Sequence, residues 1–261
     1  MMSLKEAYEQ FIKAGIVNNI NYSQFNAFLL THHSTRIEGS TLTELDTRLL
    51  LEQGITPKGK PLEHSNMVRD HYEALKFVLA AAERKERVTE RFIQEIGGSV
   101  NKTTGTQTNT ALGSFDNSKG EYRLANAFAG TDYFLGFDKI PEHVQKLCDQ
   151  INEKILNVSG VEEIYRFSFA VHFYLVEIHP FGDGNGRTAR LLMNYVQAYH
   201  RLPLTPVFSQ DKKNYILALK ASRNEGDTKA IEEFMSSQAV KYFKHELKAQ
   251  RNMKQGISFV F

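Results

Sequence analysis

Between Val161 and Ile178 the chain reads VEEIYRFSFAVHFYLVEI, apolar on nearly every side of a helical wheel, which predicts a helix in the middle of a core. Elsewhere the pattern is one-sided. From Asn21 to Glu38, Phe25, Phe28, Leu29 and Ile37 recur at helical offsets, and Gly39 stands just past the end, so one helix is expected to stop near Glu38. Thr41 with Glu44 has the form of a capping box, after which Leu42, Leu45 and Leu49 share a face until Gly54 ends the helix and the loop GITPKGKPLEH begins. Helices are predicted from about Asn66 to Glu83 and, capped by Thr89, to about Val100. The helical pattern resumes near Pro141, returns as a second buried helix in RTARLLMNYVQAYH, and continues in two amphipathic helices from about Asp211 and Lys229. The stretch from Asn101 to Gly120 breaks the pattern: it is polar, rich in threonine and punctuated by glycine. It leads into EYRLANAF, where Tyr122, Leu124 and Phe128 are evenly spaced, and reads as a loop with a short hairpin. The expected fold is mainly α with one short β element.

Composition narrows the setting. With 261 residues and 41% hydrophobic positions the chain can bury a real core, and 32 basic against 30 acidic residues leave a net charge of +2. That balance gives no electrostatic reason to expect nucleic acid or a membrane surface, and no apolar run approaches the roughly 20 residues a bilayer requires. The lone Cys148 cannot form an internal disulfide and the first residues lack a signal-peptide pattern, so a reducing cytoplasm is expected.

The chemistry concentrates between the two buried helices, in HPFGDGNGRTAR, His179 to Arg190. A residue before proline is pushed out of helical geometry, so His179 should open the loop, with Asn185 or Gly186 near the cap of the next helix. Unpaired N–H groups at a helix N-terminus hold phosphate. Arg187 and Arg190 oppose the helix dipole by roughly 0.3–1 kcal/mol each unless an anion lies between them. The spacing excludes a P-loop and a dinucleotide fingerprint, since Arg187 stands five positions after Gly182. It excludes an EF-hand, since Asn194 occupies the place of the last acidic ligand. His179 and Asp183 are too few for a structural zinc site.

The string from His179 to Arg190 resembles the signature of the Fic (filamentation induced by cyclic AMP) family: His-Pro-Phe, any residue, Asp/Glu-Gly-Asn-Gly-Arg, two residues, Arg. The resemblance implies a Fic-type helical bundle with a short β-hairpin flap, and transfer of AMP from ATP to a hydroxyl of a target protein, the chain itself included. It makes His179 the general base, a role suited to an imidazole with an unperturbed pKa of about 6.5. It gives Asp183 to Mg²⁺, Gly184, Asn185 and Gly186 to an anion hole, Arg187 and Arg190 to the phosphate chain, and Pro180 and Phe181 to anchoring the loop. In the related Doc toxins, which phosphorylate, lysine is typical where Gly186 stands, so glycine favours AMP transfer. GEYR, Gly120, Glu121, Tyr122 and Arg123, is similar to the family's target-docking flap, a hairpin offering a strand edge. STRIEG, Ser34 to Gly39, matches the inhibitory motif, Ser/Thr, three residues, Glu, then Gly or Asn. The match implies that Glu38 pairs with Arg190 and excludes the productive pose of the ATP γ-phosphate.

On this reading residues 1–84 form an N-terminal helical region carrying the inhibitory helix, 85–245 the Fic core and 246–261 a C-terminal tail. The expected partners are nucleotide and a hydroxyl-bearing target protein, without a membrane or nucleic acid, and a homo-oligomer is left open. Two alternatives stay beside it: a nucleotide-binding interaction module, and removal of AMP from modified proteins. Among the remaining chemistry-bearing residues, His172 is expected to be hydrogen-bonded in the core, His32 and His33 are ambiguous, and Phe167, Phe169, Phe173 and Tyr174 are expected to pack.

Overall fold

A computed structural model describes residues 2–129 and 132–254. Its centre is the helix the apolar run demands, α7 (Val161–Ile178), packed along α8 (Asn185–Tyr199). Phe167, Phe169, Phe173 and Leu175 are buried on α7, whereas Tyr174, expected to pack, is exposed. Around this pair lie α4 (Leu62–Glu83) against α8, α2 (Tyr22–Ile37) against α4, and α10 (Lys229–Lys254) against α7. The shell is completed by α3 (Glu44–Gln53), α5 (Glu90–Ser99), α6 (Ile140–Lys154) and α9 (Lys212–Glu225). Ten α-helices are present among the described residues, so the mainly α expectation holds.

Several boundaries differ from the expectation, each for a local reason. The first helix, α1 (Leu4–Lys13), was not anticipated, although Ser3 and Glu6 form a complete capping box and Leu4, Ala7 and Phe11 make its buried face. It packs on α10 and closes the far side of the core. The capping box of α3 is Thr43 with Asp46, not Thr41 with Glu44. That shift turns Thr47 and Leu50 inward and leaves Leu45 exposed. α4 starts at Leu62 rather than near Asn66, because Pro61, at φ −56°, presets the backbone at its N-cap. α10 continues to Lys254, so the proposed tail is helical to that point; residues 255–261 lie outside the described residues.

The β structure is also richer than one hairpin. Strand β1 (Gln107–Thr110) pairs antiparallel with β2 (Gly113–Asp116) inside the stretch read as a loop, where alternating threonines supply β-branched side chains. Strand β3 (Phe128–Ala129) pairs with β4 (Asp132–Tyr133). GEYR belongs to neither. Gly120, at φ +70°, ends a 3₁₀ turn over Asn117–Lys119, and residues 121–123 are irregular. The even spacing of Tyr122, Leu124 and Phe128 therefore does not mark a strand.

Candidate active site

α7 ends where proline forbids its continuation. His179 adopts the left-handed conformation, φ 50° and ψ 57°, while its N–H still donates to the Leu175 carbonyl at 3.0 Å. The loop then anchors itself through Phe181, 1% exposed, whose ring lies so close over Gly97 of α5 that a Cβ there would meet it at 2.5 Å. The Tyr122 ring packs against Phe181 as well. Asn185 turns back on the loop: its Oδ1 accepts from Phe181 N–H at 2.9 Å and its Nδ2 donates to the Phe181 carbonyl at 2.8 Å. Gly182 N–H donates to Asn117 Oδ1 at 3.1 Å. The cap of α8 is Gly184, at φ +82°, rather than Asn185 or Gly186; the turn needs a positive φ that glycine adopts freely. The first bond into the helix runs from Thr188 N–H to the Gly184 carbonyl at 2.9 Å. The amides of Asn185, Gly186 and Arg187 precede it and are free of intrahelical acceptors. The head of α8 thus presents backbone N–H groups, while the Asn185 side chain is a loop staple.

The two arginines part company. Arg187, 1% exposed, donates from Nη1 to the Val100 carbonyl at 2.6 Å and from Nη2 to Asn101 Oδ1 and Asp183 Oδ2, both at 2.9 Å. It braces the loop against the end of α5. Arg190, 3% exposed, points the other way: Nε donates to Ser34 Oγ at 2.9 Å, and Nη2 to the Ser34 carbonyl at 3.0 Å and Glu38 Oε1 at 2.6 Å. Burial opposes the Arg190 charge, yet the Glu38 carboxylate holds its pKa above the ordinary value. Glu38 also crowds the head of α8, since a Cβ on Gly186 would lie 2.6 Å from Glu38 Oε1. Gly39, at φ +107°, and Ser40 N–H bonded to the Thr35 carbonyl finish α2 behind it. Arg187 Nε is buried without an acceptor among the described residues.

His179 lies across the loop from these groups. Its ring stacks on Phe134 with centroids 3.8 Å apart and planes at 16°. Burial, first, pulls the imidazole down to about 4; Arg123 and Arg223 act with it, and the Val176 carbonyl and Glu38 against it. The ring is therefore neutral at pH 7. Arg123 is buried and acts as a strut, not an exposed docking strand. Its N–H donates to the Pro180 carbonyl at 3.0 Å, Nε to the His179 carbonyl at 2.8 Å, Nη1 to the Ala125 carbonyl at 2.6 Å and Nη2 to the Leu135 carbonyl at 2.5 Å. Glu121 likewise serves local structure, its Oε2 accepting from Asp116 N–H at 2.7 Å. Phe128 and Tyr133, on β3 and β4, form an exposed aromatic pair.

The structure thus pairs Arg187 with Asp183 and Arg190 with Glu38, sets Glu38 against Gly186 and within electrostatic reach of His179, and makes GEYR part of the loop's support. Asp183 is 67% exposed, with one oxygen held by Arg187. No group of three or more His, Cys, Asp or Glu suited to a metal occurs among the described residues. Sequence reasoning missed Asn101, Asn117, Phe134, Glu177 and Arg223; of these only Asn117, in a polar glycine-flanked turn, carried a local signal. His172 is a core residue as expected, Nε2 lying 2.7 Å from the Tyr215 hydroxyl.

A helical bundle with a neutral imidazole at the end of one buried helix and a glycine-capped N-terminus on the next places the chain in a known family. The Fic/DOC family model matches residues 42–197, and the chain belongs to that family. A curated protein adenylyltransferase Fic from Drosophila willistoni is 30% identical over 206 residues, covering 78% of this chain and 38% of its own. The Drosophila melanogaster counterpart is 30% identical over 208 residues, covering 78% and 39%. The chain therefore spans about two fifths of the length of these relatives. Among solved structures, a Fic-domain-containing signaling protein from Bacteroides thetaiotaomicron superposes with a TM-score of 0.80 at 24% identity, covering 95% of this chain and 97% of its own. Fic-1 from C. elegans gives 0.76 at 22% identity, covering 96% and 72%. A variant of IbpAFic2 in complex with adenylylated Cdc42 gives 0.55 at 15% identity, covering 83% and 63%; these likenesses concern the fold. No helix among the described residues is long and apolar enough to cross a membrane.

Proposed function

We propose that the chain is a protein adenylyltransferase restrained by its own Glu38. The observation that carries this is the complete loop in its folded setting: neutral His179 opens it at the end of α7, and Gly184 closes it at the head of α8, where the amides of Asn185, Gly186 and Arg187 lead the first turn. The curated relatives named protein adenylyltransferase, and the adenylylated Cdc42 held by a protein of this fold, support the same reading. The target hydroxyl oxygen attacks the α-phosphorus of ATP, the bond to pyrophosphate breaks, and the His179 imidazole takes the hydroxyl proton. The amides at the head of α8 stabilise the charge that builds on the α-phosphate oxygens. Asp183 suits Mg²⁺, since its side chain is exposed with Arg187 on Oδ2 only among the described residues, and this ion uses one or two carboxylates with phosphates and water. Mg²⁺ bound there would neutralise phosphate charge. A cytoplasmic setting agrees with the buried Cys148 thiol, which burial pushes up to about 12.

Restraint follows from who holds Arg190. With Ser34 and Glu38 on its guanidinium, the cation is occupied and a carboxylate stands where a terminal phosphate would approach it. Intact-mass spectrometry of wild type, Glu38→Gly and Glu38→Gly/His179→Ala after incubation with Mg²⁺-ATP, alone and with cell lysate, tests both parts. An adenylyl-sized gain confined to Glu38→Gly is expected, on the chain or on lysate proteins. A phosphoryl-sized gain would mean Doc-like chemistry. No gain despite bound ATP would remove the transferase reading.

A further inference from the structure

A general base needs its ring plane fixed, and the usual device is a hydrogen bond to the nitrogen that does not touch substrate. Here that device is slight. Among the described residues His179 Nδ1 is buried without a hydrogen bond of ordinary geometry, and its polar neighbour is the Val176 carbonyl, which favours a proton on the ring. A second constraint is a ring contact: Phe134, 3.8 Å away and within 16° of parallel, covers one face of the imidazole. A face-on contact leaves the in-plane lone pair of Nε2 uncovered.

Phe134 is itself held from three directions. Its N–H donates to the Ala127 carbonyl at 3.0 Å, continuing the β3–β4 pairing. Arg123 ties the carbonyl of its neighbour Leu135 and the carbonyl of His179 to one guanidinium, so the backbones of both stacked residues share a strut. On the ring, the Arg223 guanidinium of α9 lies 4.9 Å from the Phe134 centroid. Arg223 in turn makes a two-pronged pair with Glu177, Nε to Oε2 and Nη2 to Oε1, both at 2.8 Å. Glu177 lies two residues before His179 at the end of α7, so the chain of contacts leaves that helix through the imidazole and returns to it through a carboxylate.

We propose that Phe134 is a positioning residue that locks the plane of the His179 imidazole, and that the Glu177–Arg223 pair locks Phe134. The proposal rests on His179 acting as the base. Phe134 also contributes to the burial that keeps the ring neutral; the charged groups acting on the ring are Arg123 after β2, Arg223 of α9 and Glu38 of α2.

The test is an NMR titration of the His179 ring in the full chain, assigned by its loss in His179→Ala, alongside transfer rates and their pH profile in the Glu38→Gly background. In Phe134→Leu, which keeps apolar volume but no aromatic face, the His179 ring signal should lose its ring-current shift and titrate closer to 6.5 than to 4. Transfer should fall on the order of 10- to 100-fold in kcat with KM for ATP nearly unchanged, and the acid limb of the pH profile should move upward. Phe134→Tyr should restore all of these. Arg223→Gln, which leaves the stacking ring in place, should give the same changes at smaller size. An unaltered His179 titration and pH profile in folded Phe134→Leu overturns the proposal. If Phe134→Leu does not fold, wild-type behaviour of Arg223→Gln overturns the locking role of the pair, and an unshifted His179 signal in wild type overturns the stack itself. Absence of transfer in Glu38→Gly would sink the transferase reading while the ring signal still decides whether Phe134 positions His179.

Discussion

Arg187 and Arg190 leave α8 within a turn of each other, both almost wholly buried, and meet opposite surroundings. On the α5 side Arg187 finds a backbone carbonyl, an amide and the outward carboxylate of Asp183. On the α2 side Arg190 finds Ser34 and Glu38, with Tyr215 and the buried His71 and His172 close enough to feel its charge. The first set is a brace that needs no ligand. The second is a charge held by a carboxylate from another helix, and a phosphate could replace that carboxylate. One residue type in one motif thus takes two roles, decided by what faces it.

The largest effect should come from breaking the brace. Arg187→Ala takes the donor from the Val100 carbonyl and from Asn101 Oδ1 in a buried site, and stability should fall by about 3 kcal/mol in urea unfolding. Transfer in the Glu38→Gly background should fall to baseline with it. Arg187→Lys should not rescue, because a point charge cannot replace the fork. Equal stability of Arg187→Ala and wild type would remove the distinction between the two sides.

Acid should separate the sides next. Burial, first, lowers His71 well below its ordinary value and takes His172 to about 3, His33 to about 3 and His32 to about 4. Their folded pKa values lie below the unfolded 6.5, so the unfolded chain takes up protons first. Their contribution is full above about 6.5 and is lost as pH falls from there towards 4 and 3. Unfolding at pH 7.5 and 4.5 should differ by on the order of a few kcal/mol. Hydrogen exchange at the lower pH should accelerate in α2 before α5.

Glu38→Gly should cost about 1–2 kcal/mol, since Arg190 keeps Ser34 but loses its charge partner, which is itself one-third exposed. Mg²⁺-ATP should then stabilise the variant more than the wild type in thermal unfolding. Equal stabilisation would mean that Glu38 does not compete with nucleotide. The smallest structural effect belongs to Asp183→Asn: stability within about 0.5 kcal/mol for so exposed a group, but a raised Mg²⁺ requirement for transfer. An unchanged Mg²⁺ titration would release Asp183 from the metal role.

What was legible in the chain follows the same division. The bounds of α7 were readable because an all-round apolar run is closed by Gly160 and by Pro180, and His179, Asp183 and the glycines could be placed from the loop string alone. Glu38 beside Arg190 was expected from a motif 152 residues away, a pairing that needed the family resemblance and not periodicity. The burial of Arg187 was not legible, because its partners are a carbonyl and an amide 87 and 86 residues upstream and neither leaves a pattern in sequence. The supporting role of GEYR was hidden for a related reason: a short tetrapeptide match cannot show a strut, and Arg123 is buried with its guanidinium on the His179 carbonyl. α1, by contrast, was fully written in Ser3, Leu4, Glu6, Ala7 and Phe11.

The left-handed backbone of His179 sets function against stability at one position. A non-glycine residue there carries a conformational penalty of roughly 1–2 kcal/mol, which alanine would share and glycine would not. His179→Gly should therefore melt above His179→Ala, so the better reference for binding and partner capture is the glycine variant, in which the imidazole is removed and the turn relaxes. The same penalty explains how a loop so heavily braced can still be under tension: Pro180, the Asn185 staple and the Arg123 strut hold the imidazole in a conformation that the free peptide would leave.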